Sequence, residues 1–139
     1  MRAFLDASVF IFAVERPTSN SAKLVKEFLA GRLEAVVDEE VLAEVGRFFR
    51  SRRGLSFAWL TTEQIRRVAR VVSMDECRAE FETLRGQLKE GDRFHLAATR
   101  ATKTLHLIAL DEDFERFKEY LTPKEAVRRL GIVPGPSEW

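Results

Sequence analysis

One cysteine in 139 residues excludes an internal disulfide, and with it any scaffold stapled by disulfide bridges. No Cys–His–Asn pattern surrounds Cys77, so it reads as a packing residue. Four prolines and seven glycines lie scattered, which leaves no linker, repeat or low-complexity tract. No apolar run approaches the roughly 20 residues of a bilayer span, and no basic segment leads into a signal-peptide core. The expectation is a cytoplasmic protein with no membrane partner. Two histidines are too few for an ordinary zinc set of His and Cys. There is no GxxxxGK[ST] loop for a nucleotide triphosphate and no GxSxG serine elbow.

What is present is ordinary in bulk. Hydrophobic residues make up 45% and charged residues 32%, with a net charge of +1. One domain over residues 1–133 is expected, followed by a loose tail at 134–139 ("PGPSEW"). Net charge announces no nucleic-acid partner, but its distribution does more. Arg47, Arg50, Arg52 and Arg53 crowd one segment and Arg66, Arg67 and Arg70 another. Such clusters contact phosphates or simply form solvated helix faces.

Along the chain, Arg2–Leu5 reads as a buried strand and Ala7–Val14 as a helix. Thr18, Ser19 or Asn20 caps the next helix, which stops at Gly31. "LEAVV" is a second strand, and "DEEVLAEVGRFFRSRRG" is a helix with acids first and bases last, as the helix dipole favours. "LSFAWL" reads as a third strand, followed by a helix through "EQIRRVARVV". Helices are expected at "DECRAEFETLRGQL" and "EGDRFHLAATRATK". "LHLIAL" is a buried strand, "FERFKEYL" a helix, and a last helix starts near Pro123. Strands alternating with helices predict an α/β domain with a mainly parallel sheet, whose site lies beyond the carboxyl ends of its strands.

Four acids fit that place. Asp6 ends the first strand and Asp111 ends "LHLIAL". Glu44 sits at the margin of the stripe Val41, Leu42, Val45, Phe48 and Phe49, and Asp92 opens a helix that carries His95 one turn later. Each also has a plainer role: Asp6 or Asp92 as a helix cap, Glu44 as a partner of Arg47, Asp111 and Asp113 in a turn. Together they describe a pocket of carboxylates, which raises their pKa values or draws in a cation. Oxygen donors select Mg²⁺ or Mn²⁺, ions that bind phosphate oxygens and activate water.

The order "FLDASVFI", "VLAEV", "EGDRFHLAATRA", "LIALDEDFERF" resembles the PIN-domain family of metal-dependent ribonucleases, most closely the VapC-type toxins of toxin–antitoxin pairs. The resemblance covers nearly the whole chain. It implies a three-layer α/β/α sandwich with a mainly parallel sheet. It implies catalytic metal ligands at Asp6, Glu44, Asp92 and Asp111, with Ser8 and Asp113 in support and Glu40 as a weaker alternative to Glu44. It further implies an endoribonuclease using Mg²⁺ or Mn²⁺, leaving a 3′-hydroxyl and a 5′-phosphate. A homodimer is implied too, with a small antitoxin partner whose basic side chain enters the pocket. Arg47 and Arg50 are the candidate RNA contacts, and Phe48, Phe49, Phe57 and Trp59 a candidate dimer or antitoxin surface. One departure is Ala109, where the family often has Thr or Ser. The resemblance gives His95 no role, and His106 belongs at the far end of its strand. Two competitors remain. "LIALDED" suits a phosphatase of the haloacid-dehalogenase type, although the motif comes late and a downstream lysine on a further strand is needed. The other is a non-catalytic PIN-like module that binds RNA or protein.

Overall fold

Parallel strands cannot be joined by tight turns, so each crossover here carries helices. The computed structural model describes residues 1–139. Strand β1 (Arg2–Leu5) leads into α1 (Ala7–Glu15) and α2 (Asn20–Leu29), then β2 (Glu34–Asp38). Helices α3 (Glu39–Arg53) and α4 (Leu55–Val68) return the chain to β3 (Arg70–Val72). Helices α5 (Met74–Thr83) and α6 (Glu90–Ala101) precede β4 (Leu107–Ile108), and a 3₁₀ turn (Glu112–Phe114) precedes β5 (Tyr120–Leu121) and α7 (Pro123–Arg129).

All five strands pair in parallel in the order β3-β2-β1-β4-β5. Consecutive residues Ala3, Phe4 and Leu5 are all buried, as are Ala35, Val36 and Val37. Side chains alternate across a strand, so both faces of the sheet are covered. That is the expected α/β sandwich. No helix is long and apolar enough to cross a membrane. The chain reverses its direction of growth beside β1: β2 and β3 lie on one flank, β4 and β5 on the other. A crevice at the carboxyl ends of β1 and β4 follows from that switch.

Three sequence expectations are corrected. "LSFAWL" begins α4 rather than forming a strand. Short apolar runs have no decisive period, and Leu55, Trp59 and Leu60 face solvent while Ala58 is buried. The strand comes later, at Arg70–Val72, where Val71 and Val72 pair with Val37 and Asp38. "FERFKEYL" is not a helix. Pro123 restricts Thr122 to extended backbone (φ −75°, ψ 159°), and Tyr120 and Leu121 complete the sheet against Leu107 and Ile108. The tail is not loose either. Asn20 donates to the Ser137 carbonyl at 2.6 Å and accepts from the Gly135 amide at 2.7 Å, and the Trp139 carbonyl accepts from the Asn20 amide at 2.7 Å.

Candidate metal centre

Asp6 is held at the end of β1 by its own backbone, whose amide donates to the Ile108 carbonyl of β4 at 3.0 Å. Its carboxylate both caps α1 and faces the crevice. Oδ2 accepts from the Ser8 amide (3.1 Å) and hydroxyl (2.6 Å), while Oδ1 lies 3.4 Å from His95 Nε2. The Ser8 hydroxyl also accepts from the Leu110 amide at 3.3 Å. One small side chain thus ties the first acid to the loop that carries Asp111, and that loop stays anchored although Ala109 offers no hydroxyl.

Glu44 projects from α3 with its Oε1 3.6 Å from the same His95 Nε2. The first turn of α6 packs close by, and a Cβ added at Gly91 would lie 3.8 Å from that oxygen. Glu40, the alternative to Glu44, pairs instead with Arg47 at 2.9 Å. Asp92 does not cap α6, whose N-cap is Lys89 and has no side-chain cap bond. It is buried, and its Oδ2 has no hydrogen-bond partner. Burial first, then the charges of Asp111 and Asp6, push its pKa up to about 6, against the pull of Lys89 and His95. Asp111 accepts from the Asp113 amide at 2.9 Å, which starts the 3₁₀ turn.

The four acids therefore stand in two neighbouring groups. Asp6 and Glu44 share a space with His95, and Asp92 and Asp111 share one with Asp113; within each group the donor atoms lie within 4.8 Å of one another. Lys89 already serves the second group, with Nζ 3.5, 3.6 and 3.8 Å from Asp92, Asp111 and Asp113. Asp113 is the most exposed of these acids. A hard divalent cation fits this donor set: the oxygens are carboxylate, Asp6 and Asp92 are buried, and Asp92 Oδ2 has no hydrogen bond and only the Lys89 ammonium beside it.

Sequence reasoning missed the other half of the arrangement. Asp38 ends β2 as Asp6 ends β1, and "EAVVDEEV" repeats the pattern of "RAFLDASV" (an apolar strand, an acid, then a helix). Its Oδ1 caps α3 through the Val41 amide at 2.8 Å, and its Oδ2 meets His95 Nδ1 at 2.6 Å. His95 is completely buried. Burial disfavours its imidazolium, but the Asp38 hydrogen bond, Glu44 and Asp6 together outweigh that and hold its pKa well above the ordinary histidine range. His106, just before β4, has no place in the site. Cys77 is buried and its thiol is pushed up to about 11 by burial and then by Asp38, which fits inert packing.

The phosphatase alternative lacks its lysine. Only the two-residue β5 follows the Asp-x-Asp stretch within the sheet, and the lysine beside these acids is the upstream Lys89. Among the candidate RNA contacts, Arg47 is paired with Glu40, whereas Arg50 is exposed and in no ion pair. Of the four aromatics expected at an interface, Phe49 is fully buried, Phe48 and Phe57 pack partly against the core, and Trp59 stands open.

A family model described as PIN domain matches residues 3–120. No curated protein matches. Among solved structures, the chain is similar to one described as a toxin–antitoxin complex from Klebsiella pneumoniae. The TM-score is 0.70 at 16% identity, covering 88% of this chain and 98% of that one. It is similar also to a chain of VapBC2 from Rickettsia felis bound to a promoter DNA fragment, with TM-score 0.67, 14% identity and coverage of 87% and 96%. A third is Mycobacterium tuberculosis VapC20, described as a sarcin–ricin loop cleaving toxin, with TM-score 0.60, 22% identity and coverage of 81% and 92%. At these identities the likeness is one of fold.

Proposed function

The chain belongs to the PIN-domain family, and on that premise we propose that it is an endoribonuclease dependent on Mg²⁺ or Mn²⁺, the toxin of a toxin–antitoxin pair. The observation that carries the reading is the gathering of Asp6, Glu44, Asp92 and Asp111 beside the switch point of the sheet, with Asp92 Oδ2 buried, without a hydrogen bond and faced only by the Lys89 ammonium at 3.5 Å. A fold needing only helix caps has no use for such an atom.

In this reading Asp6, Glu44, Asp92 and Asp111 hold the metal. A divalent ion supplies Lewis-acid polarisation of a phosphodiester and a lowered pKa for water. Ser8 fixes the rotamer of Asp6 and couples it to the Asp111 loop. Lys89 neutralises part of the second acid group and, on its exposed stem, can turn outward to a phosphate. Asp113 supports Asp111 from the rim through its backbone amide. Arg50 is the better phosphate contact of the two arginines, because Arg47 is engaged by Glu40.

The antitoxin is assigned to the apolar groove of about 340 Å³ between α1, α2 and α4, lined by Phe10, Val14, Val25, Leu29, Phe57 and Leu60. Leu29, Leu60 and the nearby Trp59 expose about half of their surface, and an apolar patch left open beside a groove is the kind of surface a protein partner covers. The protein is further read as a cytoplasmic homodimer, as its single buried thiol and RNA substrate suit.

Cleavage of a labelled RNA by the purified protein tests the reading. Activity is expected with Mg²⁺ or Mn²⁺ and none in EDTA. Undiminished cleavage in EDTA overturns the metal mechanism, and RNA binding without cleavage under every metal condition favours the non-catalytic module.

A further inference from the structure

We propose that His95 is itself a ligand of the divalent ion, completing with Asp6 and Glu44 a mixed nitrogen–oxygen site whose imidazole is fixed from behind by Asp38. The proposal rests on the reading of the acids as a metal site and adds to them a nitrogen donor.

The geometry is built from the ring outward. His95 is 0% exposed and lies against Phe4, the ring centroids 5.4 Å apart. Its Nδ1 meets Asp38 Oδ2 at 2.6 Å, and Asp38 is itself fully buried with its other oxygen held by the Val41 amide. With both partners locked, Nδ1 is the hydrogen-bonded nitrogen and Nε2 points at the crevice. Nε2 is buried and has no hydrogen-bond partner.

What faces Nε2 are Asp6 Oδ1 at 3.4 Å and Glu44 Oε1 at 3.6 Å. Both gaps exceed the usual 2.7–3.2 Å of an N–H···O bond. They match the roughly 3–4 Å that separates two donors sharing one first-row ion. Neither Asp6 nor Glu44 has a lysine or arginine within ion-pair distance, whereas the Asp92–Asp111–Asp113 group has Lys89. The Asp6–Glu44–His95 group is therefore the one where no lysine or arginine already stands in the place of a metal ion. A carboxylate hydrogen-bonded to the far nitrogen of a ligating histidine is also the arrangement that fixes ring orientation and raises ligand basicity.

A nitrogen donor changes the preferred metal. Mg²⁺ demands oxygen, and imidazole favours transition ions, so Mn²⁺ should bind this chain more tightly than Mg²⁺ by a margin that His95 supplies.

Pulsed electron paramagnetic resonance of Mn²⁺ added to the full-length protein, with ¹⁵N-labelled histidine, reads the ligand directly. One imidazole nitrogen coupling is expected in the parent, retained in His106→Gln and lost in His95→Gln. The preference for Mn²⁺ over Mg²⁺, measured by calorimetry, should fall about tenfold or more in His95→Gln. Asp38→Asn should keep the coupling and weaken Mn²⁺ binding about tenfold. Mn²⁺ that binds the parent and is lost in Asp6→Asn, yet shows no nitrogen coupling, overturns ligation by His95 and leaves the acid site standing. No Mn²⁺ binding at all, or binding unaffected by Asp6→Asn, overturns both.

Discussion

Asp92 shows how a single side chain separates scaffold from site. It makes no cap bond, and its buried Oδ2 has no hydrogen bond and only the Lys89 ammonium beside it, at 3.5 Å. In the ion-free fold its pKa stands near 6, raised by burial and by Asp111, against an ordinary value of 3.8. The folded state therefore holds the extra proton between those two pH values. The stability this group contributes is full below about pH 4 and is lost as pH rises through 6. Asp92→Asn should flatten that decline, so that in EDTA at pH 7 the variant melts at or above the parent while its cleavage falls by orders of magnitude. Thermal melts across pH 4–8 in EDTA, beside a cleavage assay, check both halves. A variant plainly less stable than the parent in EDTA makes Asp92 structural. The arginines divide in the same way. Arg50→Ala should weaken RNA binding and make its dependence on salt shallower, since each phosphate contact released changes the slope by about one. Arg47→Ala should do less, because Glu40 already holds Arg47; filter binding across a salt series reads the difference. At this scale the sequence showed Asp6, Glu44, Asp92 and Asp111, because an acid after an apolar strand or on the margin of an apolar stripe is conspicuous. It did not show that Asp38 and His95 meet. They lie 57 residues apart, and only the packing of α6 against β2 brings them together.

Elements were legible where their signals were long. The helix over Glu39–Arg53 carries acids at one end, arginines at the other and Gly54 at its close with φ +89°. Of the strands of two or three residues, β4 was legible because it lies inside the apolar run "LHLIAL", whereas β3 and β5 were not, since so few residues have no period. β3 and β5 exist because Val71–Val72 and Tyr120–Leu121 find partners in the sheet, which is tertiary information. The same holds for residues 134–139. Their composition suggests a loose end, but Asn20, fully buried at the start of α2, exchanges hydrogen bonds with Gly135 and Ser137. Asn20→Ala leaves those backbone groups unpaired and should cost about 1–3 kcal/mol. Hydrogen exchange should show the Gly135 amide, which donates to Asn20, losing protection before the sheet does. Unchanged protection there would mean that the contacts the variant keeps, the Trp139 carbonyl on the Asn20 amide at 2.7 Å and the Trp139 ring 6.2 Å from Phe12, suffice to hold the segment.

For the whole molecule, the strand order decides where chemistry can occur. Because β2 and β4 flank β1, the ends of β1 and β4 open a crevice, and α3 and α6 lean acids into it from two further places in the chain. The apolar groove between α1, α2 and α4 is lined by other residues, so a partner seated there can be varied without touching an acid. The central claim is that acids from two groups, Asp6 with Glu44 and Asp92 with Asp111, act as one metal site for RNA cleavage. The most direct test is the cleavage rate against Mn²⁺ concentration for the parent, Asp6→Asn and Asp111→Asn, each shown by its melt to be folded. The parent rate should rise to saturation, and each variant should fall by at least a hundredfold at every concentration. Either folded variant cleaving at the parent's rate contradicts the claim.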